Sequence, residues 1–264
     1  MSPIGPYKPV QPMKLILLFV LLNPLYAQAD WKAIQREDSN AIRGKVKVSE
    51  LVVSDGSHDA ELSFVYFRAG DVRLESVSNL EQQFRGLNDV IKSTGAIAGV
   101  NGGYFDERLS PVGLLISNGR VLHGLQKAPL LTGIFYVKGG LPFLVRTQHF
   151  PGTSAVQQAI QCGPFLVDGG RTIPGLENSR TAARTFIFHS SASVWGFGIC
   201  RSVTLAEMAK ILIDVPIVPE HQVNRALNFD GGYSTAFYVQ TDRGTIFSEG
   251  RPVVSDYLVA KAKD

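Results

Sequence analysis

Three short apolar runs in this chain each end in Asn or Asp followed by a pair of glycines: Val100-Asn101-Gly102-Gly103, Val167-Asp168-Gly169-Gly170 and Phe229-Asp230-Gly231-Gly232. Such an ending reads as a strand that delivers a turn, because glycine takes positive φ freely and lets the backbone approach a neighbour closely. The third run is the fullest. Leu227 and Phe229 lead in, Ser234 and Thr235 follow the glycines, and Phe237, Tyr238 and Val239 lead out. Loops at strand ends, held by a rigid scaffold, commonly carry function. One Asp-Gly-Gly alone would be a tight turn with a solvated aspartate, whereas three of the kind point to convergence on a shared pocket. Asp168 is the weakest member, since Arg171-Thr172-Ile173 follows at hairpin distance and Asp-Gly is a hairpin signal.

Strand patterns dominate the remainder. Lys45–Val53 and Glu61–Arg68 are rich in apolar residues, and the second is apolar on both alternating faces, as expected for a strand buried between layers. Hairpins are predicted at Asn118-Gly119, at Lys138-Gly139-Gly140, between Arg184–His189 and Val194–Cys200, and at Asp242-Arg243-Gly244. Three helices are expected. Ser78 with Glu81 has capping-box spacing ahead of Leu80, Phe84, Leu87 and Ile91, with Gly95 as the stop. Ser154 to Ile160 is read as a short helix. Thr204 with Glu207 caps a third, which buries Leu205, Met208 and Leu212 before Pro216 ends it. The stretch Asp30–Gly44 reads as a polar lead-in. No repeat, heptad or linker-like boundary appears, so the expectation is one α+β domain over 30–264: a strand-rich mixed sheet with about three packed helices.

The first 29 residues have the pattern of an export signal. Lys14 precedes the apolar run Leu15–Leu22, Asn23-Pro24 cuts that run off, and Ala27-Gln28-Ala29 supplies a cleavage site. The run is too short to span a bilayer, so no stable membrane span is expected after cleavage. A start at Met13 gives the tidier signal. The chain is therefore expected to be periplasmic or secreted. Its formal charge of +3 includes Lys8 and Lys14 of that segment, and the near-neutral remainder gives no case for nucleic acid. Cys162 and Cys200 are the only cysteines. An oxidising compartment permits a bridge between them, and two separate buried thiols are the equal alternative.

Five segments, taken in order, are similar to the phosphodiester glycosidase family, and in particular to its bacterial periplasmic branch. They are Gly99–Asp106 (GVNGGYFD), Gly113–Gly119 (GLLISNG), Cys162–Gly170 (CGPFLVDGG), Ala183–Ile187 (ARTFI) and Leu227–Thr235 (LNFDGGYST). The resemblance implies an exported hydrolase that releases a sugar from a 1-phosphodiester by cutting the anomeric C–O bond. It also implies that Arg184 is the family's motif arginine. Tyr233 is a departure, standing where the family more often has a small residue, so a narrowed pocket is expected there.

Cleavage at the anomeric carbon needs a carboxylate near an oxocarbenium-like centre, and cations or N–H groups for the departing phosphate. Asp230 is the first carboxylate, as base or electrostatic stabiliser, with Asp168 second. Arg184 is the phosphate ligand, with Arg180 as its rival, because a guanidinium offers a bidentate fork. Asn101, Gly102 and Gly103 are expected to hold sugar hydroxyls or phosphate. Gly231, Gly232, Ser234 and Thr235 are expected to shape the Asp230 turn and contact substrate. Asp106 reads as a turn former and Glu177 as a loop glutamate. The five histidines lack ligand spacing. No cofactor is required, although Asp168 and Asp230 together would suit a divalent cation. Two other readings stay open: a metal-dependent phosphodiesterase cutting P–O, and a non-catalytic envelope module that binds glycan.

Overall fold

The computed structural model describes residues 1, 2, 5 and 30–263, apart from 82, 191, 192 and 252. The expected export signal lies outside the described residues. The first strands in chain order are β1 Lys32–Asn40, β2 Lys47–Ser54, β3 Asp59–Arg68 and β4 Val72–Ser78, followed by helix α1 Leu87–Thr94 and β5 Ala98–Asn101. Next come β6 Leu115–Ser117, β7 Arg120–His123, β8 Gly133–Lys138, β9 Leu141–Arg146 and β10 Val156–Cys162. Then follow β11 Phe165–Asp168, β12 Arg171–Thr172, β13 Ala182–His189, β14 Val194–Val203 and helix α2 Leu205–Asp214. The chain ends with β15 Arg225–Asn228, β16 Ala236–Thr241, β17 Gly244–Glu249 and β18 Asp256–Ala262.

Three sheets result: eight strands in the order β1-β2-β3-β14-β13-β15-β11-β12, five in the order β7-β6-β10-β8-β9, and five in the order β17-β16-β5-β18-β4. Every strand pairing is antiparallel. The protein is mostly β among the described residues, with two α-helices, which corrects the expected α+β class, its mixed sheet and its three helices.

The core lies where the sheets face one another. Val65, Phe67 and Phe197 from the eight-stranded sheet meet Val100, Phe237 and Leu258 from one five-stranded sheet and Phe135 and Ile160 from the other. The far face of the eight-stranded sheet carries Leu62, Phe64, Phe186 and Phe188, and α2 covers it with Met208, Ala209, Ile211 and Leu212. β3 is thus buried on both faces, as its pattern predicts. Alternate residues along a strand point to opposite sides, so each side serves a separate apolar layer.

Helix α2 follows its sequence signals closely. Thr204 and Glu207 form the reciprocal capping box, and Val215, held extended ahead of Pro216, ends the helix. The other two expected helices are corrected. Ser78 is the last residue of β4, paired with Asp256. Asn79 then bonds both the N–H (3.0 Å) and the carbonyl (3.2 Å) of Phe84, which holds an open loop where the helix was expected. Helix α1 starts only at Leu87, behind Gly86, whose missing cap is replaced by Glu249 Oε1 accepting from the Leu87 N–H at 2.7 Å. From Val156 onward the stretch expected as a helix is β10, which pairs with β6 on one side and β8 on the other. Two ladders outweigh one weak cap. The polar lead-in is also a strand: β1 pairs with β2 along its length and keeps charged side chains outward, as edge strands do. The four predicted hairpins form at β6–β7, β8–β9, β13–β14 and β16–β17.

Candidate active site

Two of the three glycine turns meet. The Asn101 side chain is buried and spans the join, its Nδ2 donating to the Asp230 carbonyl at 2.7 Å. Its Oδ1 accepts from Thr185 Oγ1 (2.7 Å) and from the Ala236 N–H (2.9 Å). The Asp230 N–H donates to the Gly102 carbonyl at 3.1 Å. One amide thus ties β5, β13, β16 and the Asp230 turn together, at the seam between the eight-stranded sheet and the β5 sheet. The glycines are required by proximity. A side chain on Gly102 would overlap the Asp256 carboxylate, and a Cβ on Gly231 would lie 2.7 Å from the Ala183 carbonyl oxygen.

Asp230 is half-buried at this seam. Burial raises its carboxyl above the usual range, opposed by hydrogen bonds from Ser234 and the Gly231 N–H and by the charge of Arg251. The Gly231 N–H reaches Asp230 Oδ1 at 3.0 Å. Ser234 and Thr235 are buried within a single 3-10 turn, Gly232–Ser234 with its cap, directly after Asp230. Tyr233 differs from expectation. Its side chain is 89% exposed, so it stands at the rim and does not fill the site.

Asp256 has no turn signature in the sequence, and sequence reasoning missed it. It opens β18 and closes the Asn101 turn from the far side, its carbonyl accepting from the Gly102 N–H (2.8 Å) and its Oδ1 from the Gly103 N–H (3.0 Å). Gly102 and Gly103 therefore spend their N–H groups inside the protein and do not present them to a ligand. Asp256 Oδ2 is buried with no hydrogen-bond partner among the described residues. Burial pushes this carboxyl to about 6 against the stabilising bond from the Gly103 N–H, and the charge of Asp230 adds to the rise.

Tyr104 and Asn228 complete the seam. Tyr104 donates to the Gly163 carbonyl at 2.5 Å, and Asn228 Nδ2 reaches the same carbonyl at 3.0 Å and the Tyr104 hydroxyl at 3.2 Å. Burial raises Tyr104 far above its ordinary range, and the nearby charges of Cys162 and Asp230 add to the rise. Both residues lie inside the segments singled out above, so position was available as a signal although role was not.

Arg184 begins the seam on β13 but is not open to a ligand as expected. It is 9% exposed. Its Nε donates to the Val203 carbonyl (3.0 Å) and its Nη2 to the Arg180 carbonyl (2.6 Å), with Glu177 at 3.7 Å. Burial lowers its pKa, offset by the charge of Glu177. The exposed cation acting on Asp230 is Arg251, whose guanidinium sits 5.4 Å from the Phe105 ring centre. Asp106 is a local turn former, accepting from Arg108 N (2.8 Å) and Ser110 N (2.9 Å).

Asp168 is not at this site. Gly169 and Gly170 take φ of 60 and 72 between the paired residues Asp168 and Arg171, so this glycine pair makes the β11–β12 hairpin. Asp168 pairs with Arg225 at the start of β15, and Asp230 lies past its other end. The strand rise puts them about 15 Å apart. They cannot share a cation. Among the described residues no three His, Cys, Asp or Glu side chains gather as a metal-binding group. Burial acts to raise Asp168, but Arg146 (2.8 Å) and Arg225 (2.9 Å) outweigh it and hold the carboxyl low. Cys162 and Cys200 are free buried thiols in different core clusters, which settles the cysteine alternatives against a bridge. No helix among the described residues is long and apolar enough to cross a membrane.

The fold and seam define a β-protein whose candidate site is assembled from loop carboxylates, a bridging amide and close-packed glycines where two antiparallel sheets meet. The chain belongs to the phosphodiester glycosidase family, which it matches over residues 94–260. That family consists of glycosidase-type hydrolases of phosphodiester-linked sugars. The chain is 36% identical over 78 residues to the uncharacterized protein YigE of Escherichia coli (strain K12), a match spanning 27% of this chain and 31% of YigE. Its fold is similar to the catalytic domain of zebrafish N-acetylglucosamine-1-phosphodiester alpha-N-acetylglucosaminidase, auto-inhibited by its pro-peptide, with TM-score 0.60, 15% identity and 89% of each chain covered. It is also similar to a hypothetical protein from Synechocystis (TM-score 0.55, 13% identity, 89% of this chain and 68% of that one). A putative exported protein from Burkholderia pseudomallei K96243 matches with TM-score 0.56 and 11% identity over 77% of this chain and 74% of that one.

Proposed function

We propose that this protein hydrolyses a sugar 1-phosphodiester at the anomeric C–O bond, releasing free sugar and a phosphomonoester. The observation that carries this reading is the Asn101-held junction, which fixes the turn carrying a half-buried carboxylate, Asp230. Water attacks the anomeric carbon as the C–O bond to phosphate breaks. Asp230 accepts the proton from water and offsets the positive charge that develops on the sugar ring. The bonding electrons leave with the phosphate oxygen, a good leaving group that needs little protonation. Arg251, exposed and acting on Asp230, supplies the positive field for the phosphate. Arg184 and Asn101 serve as positioning residues: Arg184 donates through Nε and Nη2 to the Val203 and Arg180 carbonyls, and Asn101 spends its amide on Asp230, Thr185 and Ala236. Tyr233 offers an exposed ring beside the site on which a sugar face can stack.

The signal-like segment before Asp30 supports action after export, in the periplasm or outside the cell. Hydrolysis of a glycosyl 1-phosphate methyl ester in oxygen-18 water tests the bond that is cut. Label in the sugar is expected, and label in the phosphate overturns the reading. Asp230→Asn is expected to lose roughly 10²–10⁴-fold in kcat, the usual worth of a positioned base.

A further inference from the structure

We propose that the cavity floored by Asp168 binds an anionic group, a phosphate or carboxylate carried on the aglycone of the substrate, with Arg146 as its principal ligand. The Asp168-Gly169-Gly170 turn would then serve the substrate, away from the point of cleavage. The cavity has a volume of about 760 Å³ and is lined by Lys127, Thr132, Arg146, Thr147, His149 and Asp168 among others. That is the size of a small-molecule site.

Arg146 is held ready for an anion. Its Nε donates to Asp168 Oδ2 at 2.8 Å, and its guanidinium carbon lies 4.6 Å from the Phe165 ring centre. One contact fixes an edge of the guanidinium and the other fixes a face, so the plane is set while the Nη edge stays uncommitted among the described residues. A guanidinium so fixed pairs with phosphate or carboxylate oxygens in two parallel hydrogen bonds and loses little rotamer freedom in doing so. Asp168 does not neutralise the site, because its other oxygen is shared with Arg225 at 2.9 Å. Two guanidiniums face one carboxylate, and exposed Lys127 adds a further positive charge on the cavity wall.

The cavity is linked to the cleavage site through the chain. Thr132, one of its lining residues, accepts from the Phe165 N–H at 2.7 Å. Two residues earlier, the Gly163 carbonyl takes the Tyr104 and Asn228 bonds of the seam. Asp168 faces Arg225 at the start of β15 and Asp230 lies about 15 Å on, past the strand's other end, which sets the reach an aglycone bridging the two sites needs. The aglycone assignment rests on the phosphodiester reading above, and the anion site itself does not.

Two measurements test the proposal on the full chain. Calorimetric titration with glycerol 2-phosphate should show binding that weakens at least tenfold in Arg146→Gln and two- to threefold in Lys127→Gln, with circular dichroism confirming the fold of each. Wild-type affinity in both variants overturns the anion site. Hydrolysis is then compared for two substrates sharing one sugar 1-phosphodiester, one with an ethyl aglycone and one with an aglycone ending in phosphate. Wild type should prefer the anionic substrate at least tenfold in kcat/KM, and Arg146→Gln should bring that ratio to near one. A ratio unchanged by the substitution refutes the aglycone assignment. If neither substrate turns over, the cleavage reading fails, while the titration still decides the anion site.

Discussion

Replacing Asn101 with alanine tests the join between the two glycine turns directly. The amide is buried, and removing it strands the Thr185 hydroxyl (0% exposed) and the Ala236 N–H (1% exposed) without their acceptor. Leaving a buried polar group unpaired costs about 1–3 kcal/mol, so two fully buried donors together cost roughly 4 kcal/mol. At about 2–4 °C per kcal/mol for a domain of this size, the midpoint of thermal unfolding should fall by roughly 8–16 °C. Urea unfolding followed by the fluorescence of buried Trp31 and Trp195 should show the same loss at an unchanged m-value. Activity should drop as well under conditions where the variant is fully folded, since the Asp230 carbonyl loses the bond that seats its turn. Asp106→Asn, in the same segment but exposed and locally bonded, is the control and should change stability by less than about 0.5 kcal/mol. A loss below about 1 kcal/mol for Asn101→Ala would refute the claim that this amide holds the sheets in register at the site.

Two further outcomes follow from groups the sheets bury. Asp256 titrates near 6 in the folded protein, above the ordinary value of 3.8, so the folded state holds its proton more tightly than the unfolded chain. Its contribution to stability is full below pH 4 and is lost as pH rises towards and through 6, about 3 kcal/mol in all. Asp256→Asn should flatten the stability profile over that window, and parallel profiles for the two proteins would refute the assignment. Cys162 and Cys200 are buried and free, with burial raising both thiols. Iodoacetamide should therefore label neither in the native protein and both in denaturant, and a reductant should leave the thermal midpoint where it is.

Local chemistry carried much of this into the sequence. The hairpin turns at Asn118-Gly119 and Gly139-Gly140 show there because positive φ is a property of the residues themselves. Helix α2 shows because Thr204, Glu207 and Pro216 act within one or two turns. The helix expected from Ser78 keeps its second half, Leu87–Thr94 ending at Gly95. Its first turns are lost for a non-local reason, since Asp256 pairs with Ser78 in a sheet and Asn79 then closes a loop on Phe84. The helix expected at Ser154 failed likewise, its residues being claimed by β6 and β8 on either side.

At the site the division is the same. The sequence alone marked Asn101, Asp230 and the glycines around them, because an apolar run ending in Asn or Asp and paired glycines is written in consecutive residues. Only the tertiary structure decided that two such turns join while the third stands about 15 Å away. It alone turned Arg184 inward and brought Asp256 under the Asn101 turn. These outcomes depend on which strands become neighbours. Neighbour choice is settled by burying both faces of the eight-stranded sheet at once, a constraint that no short window of sequence contains.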